Sequence, residues 1–337
     1  MNSELSLNSP ANAFVPFCGY RYRGRRIANP ILAKRRTGKL NLLLTALFLH
    51  LFTPGAAAQE MEPRAYSPAP VGTQFVVLSY AHQSGDVLLD ASLPLKDVNV
   101  SLNATSVGYG RTFGLAGRQT NVAVLFPYIW GTAQGTVFED QVKVRRSGGG
   151  DVRVRFSTLL KGGRALPPKE FATRKPETLI GASVIIVVPS GQYDPQRLVN
   201  PGSNRWAFKP EIGISKPKDR WTFELMGGAW FFGANDRFLG QSRREQKPMA
   251  SFQGAVIYTL RRRMWVSGNA TFFSGGATRL NGVQNADRQS NTRIGATFSL
   301  PLTQQQSVKV AWAKGVGTRI GGDLNTIAIG WQYVWFK

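Results

Sequence analysis

Long stretches of this chain alternate apolar and polar residues one by one, and that rhythm constrains the fold more than anything else in the sequence. In "NTRIGATFSL", Thr292, Ile294, Ala296, Phe298 and Leu300 share a face, opposed by Arg293, Gly295, Thr297 and Ser299. In "DVRVRFSTLL", Val152, Val154, Phe156 and Leu160 oppose Arg153, Arg155 and Ser157. "SVKVAWAK" sets Val308, Val310 and Trp312 against Lys309, and "TNVAVLFPYIW" puts Val122, Val124, Phe126, Tyr128 and Trp130 on one side. A period of two is the signature of a strand. Twelve such runs predict strands at 72–82, 99–113, 119–130, 151–161, 177–189, 204–216, 219–232, 248–260, 262–274, 290–300, 306–316 and 324–336. They are longer than the five or six residues usual in soluble sheets. They suit tilted strands that cross a bilayer.

The joins sharpen the reading. Those after even-numbered runs are tight, at 114–118, 217–218, 261 and 301–305, with one long exception at 162–176. Those after odd-numbered runs are longer, at 83–98, 131–150, 190–203, 233–247, 275–289 and 317–323. Short turns at one end and long loops at the other are the pattern of a transmembrane β-barrel. Hydrocarbon offers no water to a free backbone N–H or C=O, so alternating strands within it must close on themselves. The fold expected is therefore all-β, a transmembrane antiparallel up-and-down barrel of about 12 strands. With an even count, both termini lie at the short-turn, periplasmic end. A soluble secreted sandwich would alternate too, but would explain neither strand length nor loop asymmetry.

The N-terminus carries the matching address. "KRRTGK" (34–39) precedes the uncharged apolar run "LNLLLTALFLHLF" (40–52), and Ala56 and Ala58 form a small-x-small cleavage site. That is the order of a secretory signal, with an apolar run too short to span as a helix. The expected organisation is an extended signal peptide at 1–58, cleaved after Ala58, a periplasmic N-terminal segment at 59–71, and an outer-membrane barrel at 72–337. The length of the leader raises the question of a start codon downstream of Met1. The leader contains the only cysteine, Cys18, so the remainder has neither a disulfide framework nor a thiolate. It also holds eight of the 42 Lys and Arg and one of the 19 acids, which leaves 34 basic and 18 acidic groups beyond it. For an exported chain that surplus points to anionic lipid, lipopolysaccharide-type glycolipid or an anionic solute rather than nucleic acid.

Candidate chemistry is sparse. His82 is the one histidine beyond the leader, with Ser79, Ser84 and Asp86 nearby. A lipid-modifying barrel enzyme needs His beside Ser, but the end of a first strand is equally an ordinary polar rim. No cofactor is expected and no metal ligand set is dense enough to name, although Asp140, Asp151, Asp194, Asp236, Asp287 and Asp323 fall in or beside the long loops. The informative surface is the lumen. Arg153, Arg155, Arg293 and Lys309 point away from the apolar faces, with Asn269, Gln253, Glu224, Glu211 and Gln332 as companions. A charge on the lipid face at mid-depth costs about 2–4 kcal/mol. These groups make either a basic pore for anions or a salt-bridged plug. Tyr128, Trp130, Trp312, Trp331, Tyr333, Trp335 and Phe336 are candidates for the aromatic belts at the membrane interfaces. Arg145, Arg146, Arg243, Arg244 and Lys247 fall in long loops, where glycolipid phosphates lie. The ending "TIAIGWQYVWFK" reads as the closing strand, and its terminal aromatics resemble those read by the outer-membrane insertion machinery, except that Lys337 follows Phe336.

Four segments carry a family resemblance. They are "VGYGRTFGLAGRQTNVAVLFPYIWG" (107–131), "GGGDVRVRF" (148–156), "IIVVPSGQYDP" (185–195) and "NPGSNRWAFKPEIGISKP" (200–217). In order, they resemble the outer-membrane transporter family labelled "MetA-pathway of phenol degradation", over about residues 70–337. The resemblance implies a bacterial outer-membrane barrel that takes up aromatic or other small organic solutes. It supplies no binding residues. The expected function is passive solute uptake without enzymatic chemistry. The alternatives are a structural or adhesive barrel with an occluded lumen and, third, a lipid-modifying enzyme.

Overall fold

The computed structural model describes residues 62–88, 95–137, 140–197 and 199–336. The expected leader, its cleavage site, residues 59–61 and Lys337 lie outside the described residues. Alternation is converted into strands almost run for run: β1 (Thr73–Leu88), β2 (Leu95–Leu115), β3 (Arg118–Val137), β4 (Asp140–Gly149), β5 (Val152–Lys161), β6 (Leu179–Val188), β7 (Ala207–Lys218) and β8 (Trp221–Phe232). Then follow β9 (Asn235–Phe238), β10 (Ser242–Gln246), β11 (Met249–Arg261), β12 (Met264–Gly275), β13 (Thr278–Leu280), β14 (Val283–Gln284), β15 (Gln289–Pro301), β16 (Gln306–Thr318) and β17 (Gly321–Phe336).

Twelve of these strands make an antiparallel ring in the order β1, β2, β3, β5, β6, β7, β8, β11, β12, β15, β16, β17. The ring closes where β1 pairs with β17, from Thr73 opposite Phe336 to Leu88 opposite Gly321. Closure leaves no edge in the hydrocarbon. The outer face is apolar: Leu225, Ile212, Phe252 and Phe126 are 66%, 57%, 56% and 53% exposed. The inner face is polar and buried, with Ser251, Gln253, Ser267, Asn269, Thr271, Arg293, Thr297 and Ser299 among its members. This inversion of a soluble protein is a solution for lipid, and it places the chain in the bacterial outer membrane.

The tight turns lie at one end. Ala116 and Gly117, both at positive φ (48° and 74°), join β2 to β3 in the geometry that matches strand twist. The long 162–176 join also lies at this end. It contains the short helix α1 (Pro168–Ala172), Gly163 C=O accepts from Gln119 N–H (2.8 Å), and Ala165 N–H donates to Gly117 C=O (3.0 Å).

Joins expected as loops form ordered sheet in two places. In the first, residues 83–88 and 95–98 prolong β1 and β2, 131–137 continue β3, and 140–149 pair beside it as β4. The upper part of β3 pairs with β4, while its lower part, Thr120–Leu125, pairs with β5. The second is the four-stranded sheet β14-β13-β10-β9 built from the 233–247 and 275–289 joins. Outside hydrocarbon a strand need not be apolar along a whole face: in "DQVKVRRSGG" only Val142 and Val144 alternate with Gln141, Lys143 and Arg145, a run too short to mark a strand.

Candidate functional site

A ring of twelve strands encloses a lumen between the side-chain-filled eight-stranded barrel and the wide porins. Much of it is furnished. Residues 62–72, immediately ahead of β1, lie within the periplasmic end against the inner wall. Arg64 N–H donates to Glu224 Oε2 (2.7 Å), and Arg64 Nη2 donates to Thr259 Oγ1 (3.0 Å). Tyr66 is buried, packed with Leu159, Leu179 and Met226. Its hydroxyl reaches Ser183 Oγ (3.1 Å) and Glu211 Oε1 (3.4 Å). Gly181 and Gly213 pair across β6 and β7, and the Tyr66 ring occupies the space where either would carry a Cβ. Those two glycines admit the ring by close approach. Ala69 N–H donates to Gln119 Oε1 (2.9 Å), and Gly72 N–H to Thr112 C=O (2.9 Å), which completes the attachment. We call this segment the strap.

Arg153, Arg155, Arg293 and Lys309 all lie on the inner face, but at different places around it. Arg155 is bound to the strap: Nη1 pairs with Glu62 (3.1 Å) and Nη2 with Glu211 (3.3 Å), and its guanidinium sits 5.6 Å from the Tyr66 ring centre. Arg153 lies two residues toward the outside, opposite Val187. Arg293, on β15, is six strands away and so across the lumen. It is buried and donates from Nη2 to Thr326 Oγ1 (3.0 Å). Lys309 lies near the periplasmic end of β16, where its ammonium and the Arg64 guanidinium share the Trp265 ring at 5.9 and 5.2 Å. The four do not form a single constriction. Glu224 takes hydrogen bonds from the strap and from Ser215 Oγ (2.9 Å); Asn269 donates to Thr297 Oγ1 (3.4 Å); Gln253 is buried beside them; Gln332 faces Val77 and Ser307.

Other inner cations escaped sequence reading. Lys209 pairs with Glu211 (2.9 Å) and lies 5.7 Å from the Trp230 ring. Arg205, just ahead of β7, lies 4.6 Å from the Phe232 ring, and its Nη2 donates to Gln246 Oε1 (2.6 Å). The alternation of β7, with Ala207, Lys209, Glu211, Gly213 and Ser215 on one face, carries the signal for Lys209. Arg205 lies at the start of the 204–216 run, in phase with Ala207, Lys209 and Glu211, whereas the strap residues lie outside any alternating run. Arg244, expected to face glycolipid, instead lies 5.3 Å from the Phe238 ring with Asp287 nearby. Burial lowers the proton affinity of Arg205 and Arg244; Arg244 adds to the effect on Arg205, and Asp151 and Asp287 oppose it. At this end Trp230, Met249, Phe273 and Ala207 form an apolar cluster inside the barrel, with Phe232 against it.

The interface aromatics fall at two heights. Tyr80, Trp130 and Tyr128 adjoin at the extracellular end, each neighbouring pair of rings 6.2 Å apart. Trp312 donates to Asn325 Oδ1 (2.8 Å). Trp331, Tyr333 and Trp335 stack in sequence at the periplasmic end, joined by Tyr109, and Phe336 is exposed beside them. Trp206 on Phe208 and Trp221 against Tyr258 extend the two groups. His82 meets the amide of Asn103 (2.9 Å). No group of three or more potential metal ligands occurs among the described residues.

The model of the family described as "Putative MetA-pathway of phenol degradation" matches residues 72–327, the whole barrel except the last part of β17. The chain belongs to this family. Among solved structures, the chain is similar to the COG4313 outer membrane channel from Pseudomonas putida F1. Identity is 20% and the TM-score 0.67, over 82% of this chain and all of that one. At that identity the likeness establishes the fold. The KdgM porin (10% identity, TM-score 0.40, 76% of this chain and 98% of that) and a TodX monoaromatic hydrocarbon channel variant (8%, 0.43, 80% and 91%) are more distant. No curated protein matches. The family boundary at residue 72 leaves the strap just outside it.

Proposed function

We propose that this barrel is a passive outer-membrane channel for small organic solutes, with aromatic and anionic compounds favoured, and that it has no enzymatic activity. One observation carries the choice of solute: cations line the lumen on aromatic faces. Arg155 lies on Tyr66, Lys209 on Trp230, Arg205 on Phe232, and Arg64 and Lys309 on Trp265. Such pairs offer an apolar plane beside a positive charge, which suits an aromatic carboxylate or phenolate better than a sugar or a cation. Membership of a family named for phenol degradation, and likeness to a protein titled an outer membrane channel, agree with this reading. The lipid bilayer, surface glycolipid and insertion machinery are the partners such a barrel requires.

A second reading, a structural barrel with an occluded lumen, is favoured by the strap. Swelling of proteoliposomes separates the two. The channel reading expects uptake of benzoate ahead of an equally sized neutral sugar, and a reversal potential on the anion side in a planar bilayer. Cation selectivity, or no flux in the native protein and in a strap-released variant alike, would sink it.

A further inference from the structure

A cavity of about 710 Å³ at the extracellular end lies outside the lumen groups described above. It opens between the unpaired edge of β4 and the 190–204 loop, which stands where a neighbouring strand would be: Gln192 N–H donates to Gly149 C=O (2.8 Å). Arg145, Arg146 and Arg197 line it, against a single carboxylate, Asp194. Asp194 pairs with Arg197 (2.8 Å). Arg146 spends two donors on neutral carbonyls, Nε on Val199 C=O (3.1 Å) and Nη1 on Arg145 C=O (2.7 Å), so its charge is held in place without being cancelled. Arg145 is exposed and has no ion pair among the described residues.

Height decides what this charge meets. Trp130 of the extracellular aromatic patch is opposite Ser147, Gly131 opposite Arg146 and Thr132 opposite Arg145. At about 3.4 Å per residue the two arginines are one and two steps beyond the ring that marks the interface. Trp206 and Phe208, 47% and 40% exposed, add a stacked aromatic pair where β7 begins. The cavity therefore lies at the depth of the phosphates of the outer leaflet. Guanidinium groups bind phosphate through paired donors.

We infer that the Arg145–Arg146–Arg197 cavity is a binding site for a phosphate-bearing anion, its natural source the phosphorylated head group of an outer-leaflet glycolipid. The inference rests on the outer-membrane placement and not on which solute crosses the lumen. The test uses the full-length protein in detergent, with bisphosphorylated and monophosphorylated lipid A and inorganic phosphate as probes, read by native mass spectrometry. Wild type retains bisphosphorylated lipid A, and the triple variant R145Q/R146Q/R197Q loses about tenfold in affinity, the scale of one lost charge-assisted hydrogen bond. The triple lysine variant, which keeps the charge and loses the paired donors, falls between the two. Failure of inorganic phosphate to displace the lipid assigns the site to the head group; displacement at millimolar concentration assigns it to a free phosphate. Equal retention by wild type and the triple glutamine variant, both running as folded heat-modifiable barrels, overturns the proposal, as does binding of neither probe. Swelling assays keep the lumen separate: absence of flux in the wild type and in the strap-released variant alike ends the channel reading and leaves the lipid result standing.

Discussion

The two ends of this barrel are both furnished, but by different bonds. At the periplasmic end the strap enters as a single segment with one turn, held by one buried ring, side-chain hydrogen bonds and the Arg155–Glu62 pair, whose Glu62 side chain is 63% exposed, while its backbone–backbone bonds to the wall, from Val71 to Leu166 and from Gly72 to Thr112, lie where it joins β1. At the extracellular end the furnishing is sheet and ordered loop, cross-linked by a half-buried carboxylate, Asp151, and a buried one, Asp287. Asp151 accepts from Gly191 N–H (2.9 Å) and from Ser203 N–H and Oγ (2.8 and 2.5 Å), and Asp287 accepts from Thr278 N–H and Oγ1 (2.8 and 2.6 Å). Asn235 ties the 190–204 loop to the small sheet through Tyr193 OH (2.9 Å) and Ser203 C=O (3.1 Å). A segment held by side chains can leave as a unit; a sheet held through its backbone cannot. The difference assigns adjustability to the periplasmic end and shape to the extracellular one.

The sharpest way to break this contrast is to release the strap. Tyr66→Ala removes its anchor, at a local cost of about 3–5 kcal/mol for a buried aromatic. Gly181→Val fills the space of the ring from the opposite side. Both are expected to raise single-channel conductance several-fold while leaving the folded barrel intact on a heat-modifiability gel. Unchanged conductance in both would show that the strap does not limit flow. Next in size, Asp151→Ala leaves three donors without an acceptor and is expected to cost about 2–3 kcal/mol at the extracellular end. The check is faster hydrogen exchange over 190–204, with conductance unchanged. A smaller effect is expected of Arg155→Gln combined with Arg293→Gln, which removes a cation from each of two facing walls. The ratio of anion to cation permeability should fall toward unity, read from reversal potentials, and more at low salt than at high. Smallest is Trp206→Phe at the outer belt, expected to shift the unfolding midpoint by less than about 1 kcal/mol.

Which parts were legible follows from the same physics. Inside the bilayer every residue must choose lipid or lumen, so the sequence declares its strands, and the β15 alternation of Ile294 against Arg293 is reproduced by the structure. Beyond the bilayer that constraint lapses. The hairpin of β3 and β4 and the small sheet β9, β10, β13 and β14 read as loops because neither face need be apolar. The strap was illegible for a third reason. "EPRAY" has no period, and its partners, Glu224, Ser183 and Gln119, lie far along the chain. Only the glycines of the wall hinted at it: Gly181 and Gly213 look like room for bending in sequence and prove to be the seat of one ring.

The seam between β1 and β17 has a further consequence, for assembly. It joins residue 73 to residue 336, the widest sequence separation in the ring, so its pairing carries the largest loop-closure entropy and awaits the end of the chain. The strap is continuous with β1 and docks on β6, β7 and β8, on the far side of the ring. Once the seam is shut, the eleven residues ahead of β1 reach those sites only through the periplasmic mouth, so the order of sealing and docking fixes the route by which the lumen is filled.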